Sequence, residues 1–178
     1  MYNTTLNGVL KGDDNKRVVT FTYKLGRIVL KIEVATEFSE SLLVDLNRLI
    51  PQLSRSSGPM SRVELTEIIG DRDATLVLAR DESGAVVGML TLIVFRIPTG
   101  IRAWIEDVVV DEAARGKSVG SLLVQRANEI ASAKGAKSVD LTSRPDREAA
   151  NRLYVREGFE LRKTNVYRFT PVAGEVGE

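Results

Sequence analysis

The sequence predicts an α/β (α+β) domain built on a central mixed, mostly antiparallel, twisted sheet with helices on both faces. Three observations predict it. Strand-like segments open the chain, where a doubly wound fold would begin with a βαβ unit. A three-stranded meander follows between residues 76 and 110, and beyond it the apolar period changes from two to about 3.6, so strands and helices alternate to the end. The length of 178 residues suits one domain with its own core, and 43% hydrophobic against 28% charged residues is ordinary globular composition.

The elements follow in order. Val18 to Tyr23 and Ile28 to Ile32 are β-rich runs around the break Lys24-Leu25-Gly26-Arg27, which reads as a hairpin. Leu42, Leu46 and Leu49 recur at helical spacing after Ser39, and Pro51 supplies a stop, so a first helix is expected over 39–50. Ser61-Arg62-Val63-Glu64 fits a capping box, in which hydroxyl and carboxylate each satisfy an unpaired backbone donor, and a short helix should run to about Ile69. Leu76 to Ala79, Ala85 to Phe95 and Trp104 to Val110 read as the meander, with turns at Glu82-Ser83-Gly84 and Pro98-Thr99-Gly100.

Val119, Leu123, Ala127 and Ile130 then line one side of a helix ending near Gly135. A strand at 138–142 leads into a helix near 146–157, and further strands are expected within Phe159 to Thr170, before a tail of small and acidic residues.

Composition excludes several chemistries. Lys plus Arg number 25 against 24 Asp plus Glu, so no net field draws the chain to nucleic acid or to an anionic membrane, and an anionic ligand must be held by a local site. With no Cys and no His, a thiol nucleophile, a disulfide framework, a His base and the usual zinc sites are ruled out, and no metal is expected. Acid-base work must fall to Asp, Glu, Tyr, Lys or an amine. The opening Met1-Tyr2-Asn3-Thr4-Thr5 lacks a basic region followed by an apolar stretch, and no apolar run reaches the length of a bilayer span, so a soluble, cytoplasmic protein is expected.

The most informative stretch is Val108-Val109-Val110-Asp111-Glu112-Ala113-Ala114-Arg115-Gly116-Lys117-Ser118-Val119-Gly120-Ser121. A strand feeds a small-residue loop and the loop feeds a helix, which aims backbone N–H groups and the helix dipole at one point, where a phosphate or pyrophosphate would bind. Arg115 and Lys117 add full charges. Gly116-Lys117-Ser118 copies the end of a P-loop, but that motif needs Gly at 111, where Asp111 and Glu112 would repel a triphosphate. A dinucleotide fingerprint fails on the spacing of Gly116 and Gly120.

Arg115-Gly116-Lys117-Ser118-Val119-Gly120 resembles the R-G-x-G-x-G coenzyme A pyrophosphate motif of the GNAT acetyltransferases, with Ser118 where that family usually has Gly. Ala150-Asn151-Arg152-Leu153-Tyr154-Val155-Arg156-Glu157-Gly158-Phe159 is similar to the family's A-x-x-L-Y-x-x-x-G-F segment. The two halves stand in the family's order, about 30 residues apart, each in a strand-to-helix context. Segments such as Ile105-Glu106-Asp107-Val108 and Thr164-Asn165-Val166-Tyr167-Arg168 also look like a bacterial group of that family. The resemblance covers 32–170, leaving 1–31 as an N-terminal extension with the hairpin and 171–178 as a tail.

The resemblance implies an N-acetyltransferase that uses acetyl-CoA as acyl donor and a small-molecule amine or peptide as acceptor, with a homodimer as one arrangement. It implies that the backbone of Val108, Val109 and Val110 pairs with the pantetheine arm, that Arg115 to Ser121 (Arg115, Gly116, Lys117, Ser118, Val119, Gly120, Ser121) hold the pyrophosphate, and that Asn151 contacts the arm. Tyr154 would then protonate the leaving thiolate. Glu106 and Asp107 lie on the strand leading to the cofactor, and alternation would send them to opposite faces, with Glu106 the base and Asp107 toward the acceptor. Gln52 and Arg55, with Arg144 and Arg168, would surround the acceptor, and the arginines would suit a carboxylate or phosphate. Two other readings keep the fold: an acyl-CoA-binding sensor without turnover, and a structural interaction module in which the loop is only a turn.

Overall fold

The structure, a computed structural model, describes residues 3–5, 20–25, 28–54 and 56–171. Among these residues seven strands form one sheet in sequence order: β1 (Asn3–Thr5), β2 (Phe21–Leu25), β3 (Ile28–Val34), β4 (Ala74–Arg80), β5 (Val86–Ile97), β6 (Gly100–Val110) and β7 (Val139–Leu141). Every neighbouring pair is antiparallel except β6 and β7, which run parallel. The expected hairpin forms between β2 and β3, with Leu25 opposite Ile28. β1 was not legible in the sequence, because three polar residues carry no apolar alternation.

Four helices cover the sheet: α1 (Glu40–Leu53), α2 (Arg62–Gly70), α3 (Val119–Ala133) and α4 (Glu148–Arg156). Period-two alternation splits the strands between two cores. On β4, Leu76 and Leu78 pack with Leu42, Leu46 and Leu49 of α1 and Leu65 of α2. Val77 and Ala79 face the other way, onto Leu122, Leu123 and Ala127 of α3. Burying one such Leu contributes about 1.5–3 kcal/mol, so these two layers hold the fold.

The capping box of α2 is complete: Ser61 Oγ accepts from Glu64 N at 3.3 Å and Glu64 Oε2 accepts from Ser61 N at 2.6 Å. Those bonds to Ser61 hold the Glu64 carboxyl below its ordinary pKa.

Two expectations are corrected. Pro51 does not stop α1, which runs on to Leu53; proline's φ is helical, and the bond it removes lies in the final turn. Gln52 and Leu53 are therefore helical and held in place rather than part of a loop. The strands expected within Phe159 to Thr170 are absent: residues 159–171 form no strand, and Leu161, Val166, Tyr167 and Phe169 are exposed. β-propensity is realised only by pairing, and no strand of the described residues pairs with this segment.

Candidate active site

The site arises where two neighbouring strands part. β6 and β7 pair only at Ala103 with Val139, Trp104 with Asp140 and Ile105 with Leu141. Beyond these positions β6 continues to Val110 while still bonded to β5 on its other side, so its second edge is left open. A cavity of about 980 Å³ lies along that edge, between β6, the N-terminus of α3 and α4. A smaller polar cavity of about 210 Å³ lies between the ends of β6 and β7 and the end of α1. Leu53, Val108, Arg147 and Tyr154 line both, and so mark where a ligand in one meets a ligand in the other.

The larger cavity is built from the loop singled out in the sequence. Asp111 begins a short 3-10 turn, Glu112–Ala114, and its side chain accepts from Ala113 N at 3.0 Å. Gly116 follows at φ +76°, left-handed, and Ser118 takes φ +60° immediately before α3. These two residues turn the chain so that the helix points its N-terminus into the groove.

Leu122 N donates to Ser118 O at 3.1 Å, so the N–H groups of Val119, Gly120 and Ser121 before it have no acceptor within the helix. Gly120 lets α4 close on α3: a Cβ there would stand 2.7 Å from Leu153 Cδ1. Val108, Val109, Val110, Arg115, Gly116, Ser118, Val119, Gly120 and Ser121 all line this groove. Arg152 and Arg156, one helical turn apart on α4, add charge that sequence reading did not assign, although their i, i+4 spacing shows one basic face. Arg156 also donates to Ser121 Oγ at 2.9 Å.

Other expected residues lie elsewhere. Lys117 is exposed, donates to Ala113 O at 2.9 Å, and does not line the groove. Asn151 donates to Arg144 O at 3.0 Å and secures the turn before α4 rather than facing the groove. Gln52 lines the larger cavity, where its Oε1 accepts from Glu112 N at 3.0 Å, not the smaller one. Arg144 is exposed and paired with Asp146 at 3.7 Å. Arg168 is exposed, and Arg55 lies outside the described residues.

The smaller cavity corrects the alternation argument. Ala103 and Ile105 of β6 pack with the α3 core, so period two would put Val109 there too; instead Val109 packs against α1 and α2. The register shifts between Met89–Thr91 of β5 and Glu106–Val109 of β6, and Asp107 sits at φ +54°. This is a β-bulge, an extra residue that turns the strand. As a result Glu106 and Asp107 line the same cavity instead of opposite faces. Holding a non-glycine residue left-handed costs on the order of 1–3 kcal/mol and is characteristic of functional sites.

Glu106 is exposed and accepts a hydrogen bond from Trp104 Nε1 at 2.7 Å. Tyr154 packs edge-on against Phe159, centroids 6.0 Å apart. Burial pushes its phenol above the ordinary value of 10.0; Arg147 opposes the shift and Glu106 adds to it. The hydroxyl is therefore protonated at neutral pH and able to donate. Arg147, which the sequence did not single out, donates to Leu53 O at 3.2 Å across the mouth of the cleft, joining α4 to the end of α1. Among the described residues no group of His, Cys, Asp and Glu could hold a metal ion, and no helix is long and apolar enough to cross a membrane.

Comparison with known proteins accords with this architecture. The family model described as the acetyltransferase (GNAT) family matches residues 42–159. An aminoalkylphosphonate N-acetyltransferase of Salmonella typhimurium is 36% identical over 92 residues, 49% of this chain and 56% of that protein, so the match spans about half of that relative's length. A Trypanosoma brucei acetyltransferase of known structure superposes with a TM-score of 0.66 at 27% identity, over 79% of this chain and 99% of that one. An aminoglycoside N-acetyltransferase in complex with CoA shares the fold at TM-score 0.68 and 14% identity, over 84% of this chain and all of that one (100%).

Proposed function

The chain belongs to the acetyltransferase (GNAT) family, and we propose that it is an N-acetyltransferase moving an acetyl group from acetyl-CoA to a primary amine of a small molecule or peptide by direct attack. The observation that carries this reading is the meeting of a long groove, floored by a helix N-terminus, with a small polar cavity at Tyr154 and Val108. The groove suits an extended donor with phosphates at one end. The unpaired helix N–H groups, Arg115, Arg152 and Arg156 take the phosphates, and the open edge of Val108 to Val110 takes the pantetheine arm as an added strand.

In the reaction the neutral amine attacks the thioester carbonyl carbon, and a backbone N–H of the bulged segment stabilises the oxyanion. The C–S bond then breaks, Tyr154 gives its proton to the thiolate, and the amine's surplus proton passes to Glu106 directly or through a water. The Trp104 bond holds one Glu106 oxygen and leaves the other for this task.

The first test is thermal melting with acetyl-CoA, CoA and ATP. A ligand at 100 times its Kd stabilises by about 2.7 kcal/mol, so acetyl-CoA and CoA should raise Tm and ATP should not. No shift with any of them would sink the reading in favour of an interaction module. Amine-dependent release of free thiol separates an enzyme from an acyl-CoA sensor, which binds without turnover; Ser118 in place of glycine at the pyrophosphate turn is the observation that keeps the sensor in view. The compartment proposed is the cytoplasm, where acetyl-CoA is available. A homodimer is proposed on the exposed Leu161, Val166, Tyr167 and Phe169, which a second copy would cover; a single-chain mass in equilibrium sedimentation would exclude it.

A further inference from the structure

The small cavity has a chemistry of its own. At about 210 Å³ it falls below the range of about 300–1,000 Å³ that drug-sized ligands occupy, so its ligand is compact. Its wall is polar: Ser54, Thr142 and Ser143 bring hydroxyls, Glu106 and Asp107 carboxylates, and Arg147 a guanidinium. Ser143 Oγ is buried with no hydrogen-bond partner in the structure. A buried hydroxyl left unpaired costs about 1–3 kcal/mol, which a ligand atom placed there would recover.

Arg147 is the second unsatisfied group. It is half-buried, yet among the described residues it has no carboxylate within ion-pair distance, although Glu106 and Asp107 share its cavity. Of the other half-buried arginines, Arg80 and Arg126 each pair with an acid at that distance, and Arg102 donates to Ser138 Oγ at 2.7 Å. Of its five N–H donors, one serves Leu53 O. A guanidinium partly withdrawn from water and lacking a counter-ion attracts a planar or tetrahedral oxyanion, which it binds through two parallel bonds. The carboxylates of the bulged strand stand apart from it and offer the opposite sign, and the hydroxyl of Tyr154 feels both Arg147 and Glu106.

We propose that the acceptor is a compact zwitterionic amine: its carboxylate, phosphonate or phosphate group pairs with Arg147 and hydrogen-bonds Ser143 Oγ, while its amine faces Glu106 and Asp107 beside Tyr154. This assignment rests on the acetyltransferase reading and adds the class of acceptor and the residue that selects it. The cavity's size and its cation favour such a small acceptor over a large polycationic amine. Arg144 and Arg168, the arginines suggested by sequence alone, are exposed and do not line it.

The test measures thiol release from acetyl-CoA with amines of similar size: β-alanine, 2-aminoethylphosphonate, ethanolamine and 1,2-diaminoethane. At least one of the two anionic amines should exceed ethanolamine and the diamine in kcat/KM by about tenfold or more, and which of the two leads tells carboxylate from phosphonate. Arg147→Gln should raise KM for the preferred amine about 10- to 100-fold, the loss of charge-assisted hydrogen bonds, while acetyl-CoA still raises Tm. Arg147→Lys should recover part of the loss. Preference for the neutral or cationic amine, or an Arg147→Gln variant that loses acetyl-CoA binding but keeps its order of acceptors, would overturn the proposal and leave acetyl transfer standing. Absence of both acetyl-CoA binding and thiol release with every amine would overturn acetyl transfer itself, and this assignment with it.

Discussion

Tyr154 shows how much one side chain depends on its surroundings. A phenol already carries its proton at neutral pH in water, and burial, by raising the Tyr154 pKa above 10.0, extends that protonated range toward higher pH. Tyr154→Phe should lower kcat about 100-fold or more at neutral pH with little change in acetyl-CoA affinity. The sign of the pH dependence follows from the upward shift: the rate supported by the protonated phenol is present below the ordinary value of 10.0 and is lost only as pH rises through the raised one. The Tyr154→Phe enzyme should lack that alkaline limb. An unchanged rate would remove Tyr154 from the proton transfer. Ser118 and Asp107 are the two non-glycine residues at positive φ among the described residues; Ser118 lines the larger cavity and Asp107 the smaller one. Their strain lies where ligands are expected rather than in the core.

At the scale of elements, α1 and the loop before α3 are tied together. Arg48 donates through Nη1 to Asp111 Oδ2 and through Nη2 to Val86 O at 2.7 Å; one turn later Gln52 accepts from Glu112 N. Asp45 on the same helix accepts from Val86 N at 2.9 Å. Asp111 is buried, so this arginine neutralises the carboxylate that starts the 3-10 turn. Arg48→Ala should destabilise the protein by about 1–3 kcal/mol, because it strands that carboxylate, and should also weaken acetyl-CoA binding because the loop loses its anchor. Chemical denaturation and calorimetry read the two effects separately; full stability with full affinity would show that the pair is ornamental. α1 and the loop before α3 thus share one set of hydrogen bonds.

Over the whole molecule, the site exists because the sheet does not close. β4 and β5 carry helices on both faces and hold β6 along one edge, while β7, only three residues long, pairs with it at one end. The open end is a backbone edge flanked by two helix N-termini, α3 and α4. Two unequal cavities meet there, one long with several arginines and one small and polar, and the proposed reaction assigns the donor to the first and the acceptor to the second. Residues 159–171 follow α4 without strand partners and leave apolar side chains in water, which is the basis for expecting a second copy of the chain.

Much of this was legible before any coordinates. The hairpin, the capping box of α2, the meander, the helix after Gly116-Lys117-Ser118 and the two motif halves depend on turn chemistry, capping and periodicity within a few residues, and the chain alone determines these. So do the absence of His and Cys chemistry and the family resemblance. The tertiary structure decided the rest. Glu106 and Asp107 share a cavity because the β5–β6 register shifts beside them, Arg147 rather than Arg144 lines that cavity because α1 ends beside it, and Asn151 serves a turn because Arg144 O lies within its reach. Residues 159–171 form no strand although several of them favour one. Each of these outcomes rests on a partner distant in sequence, and a residue's local pattern carries no record of which surface the fold will bring against it.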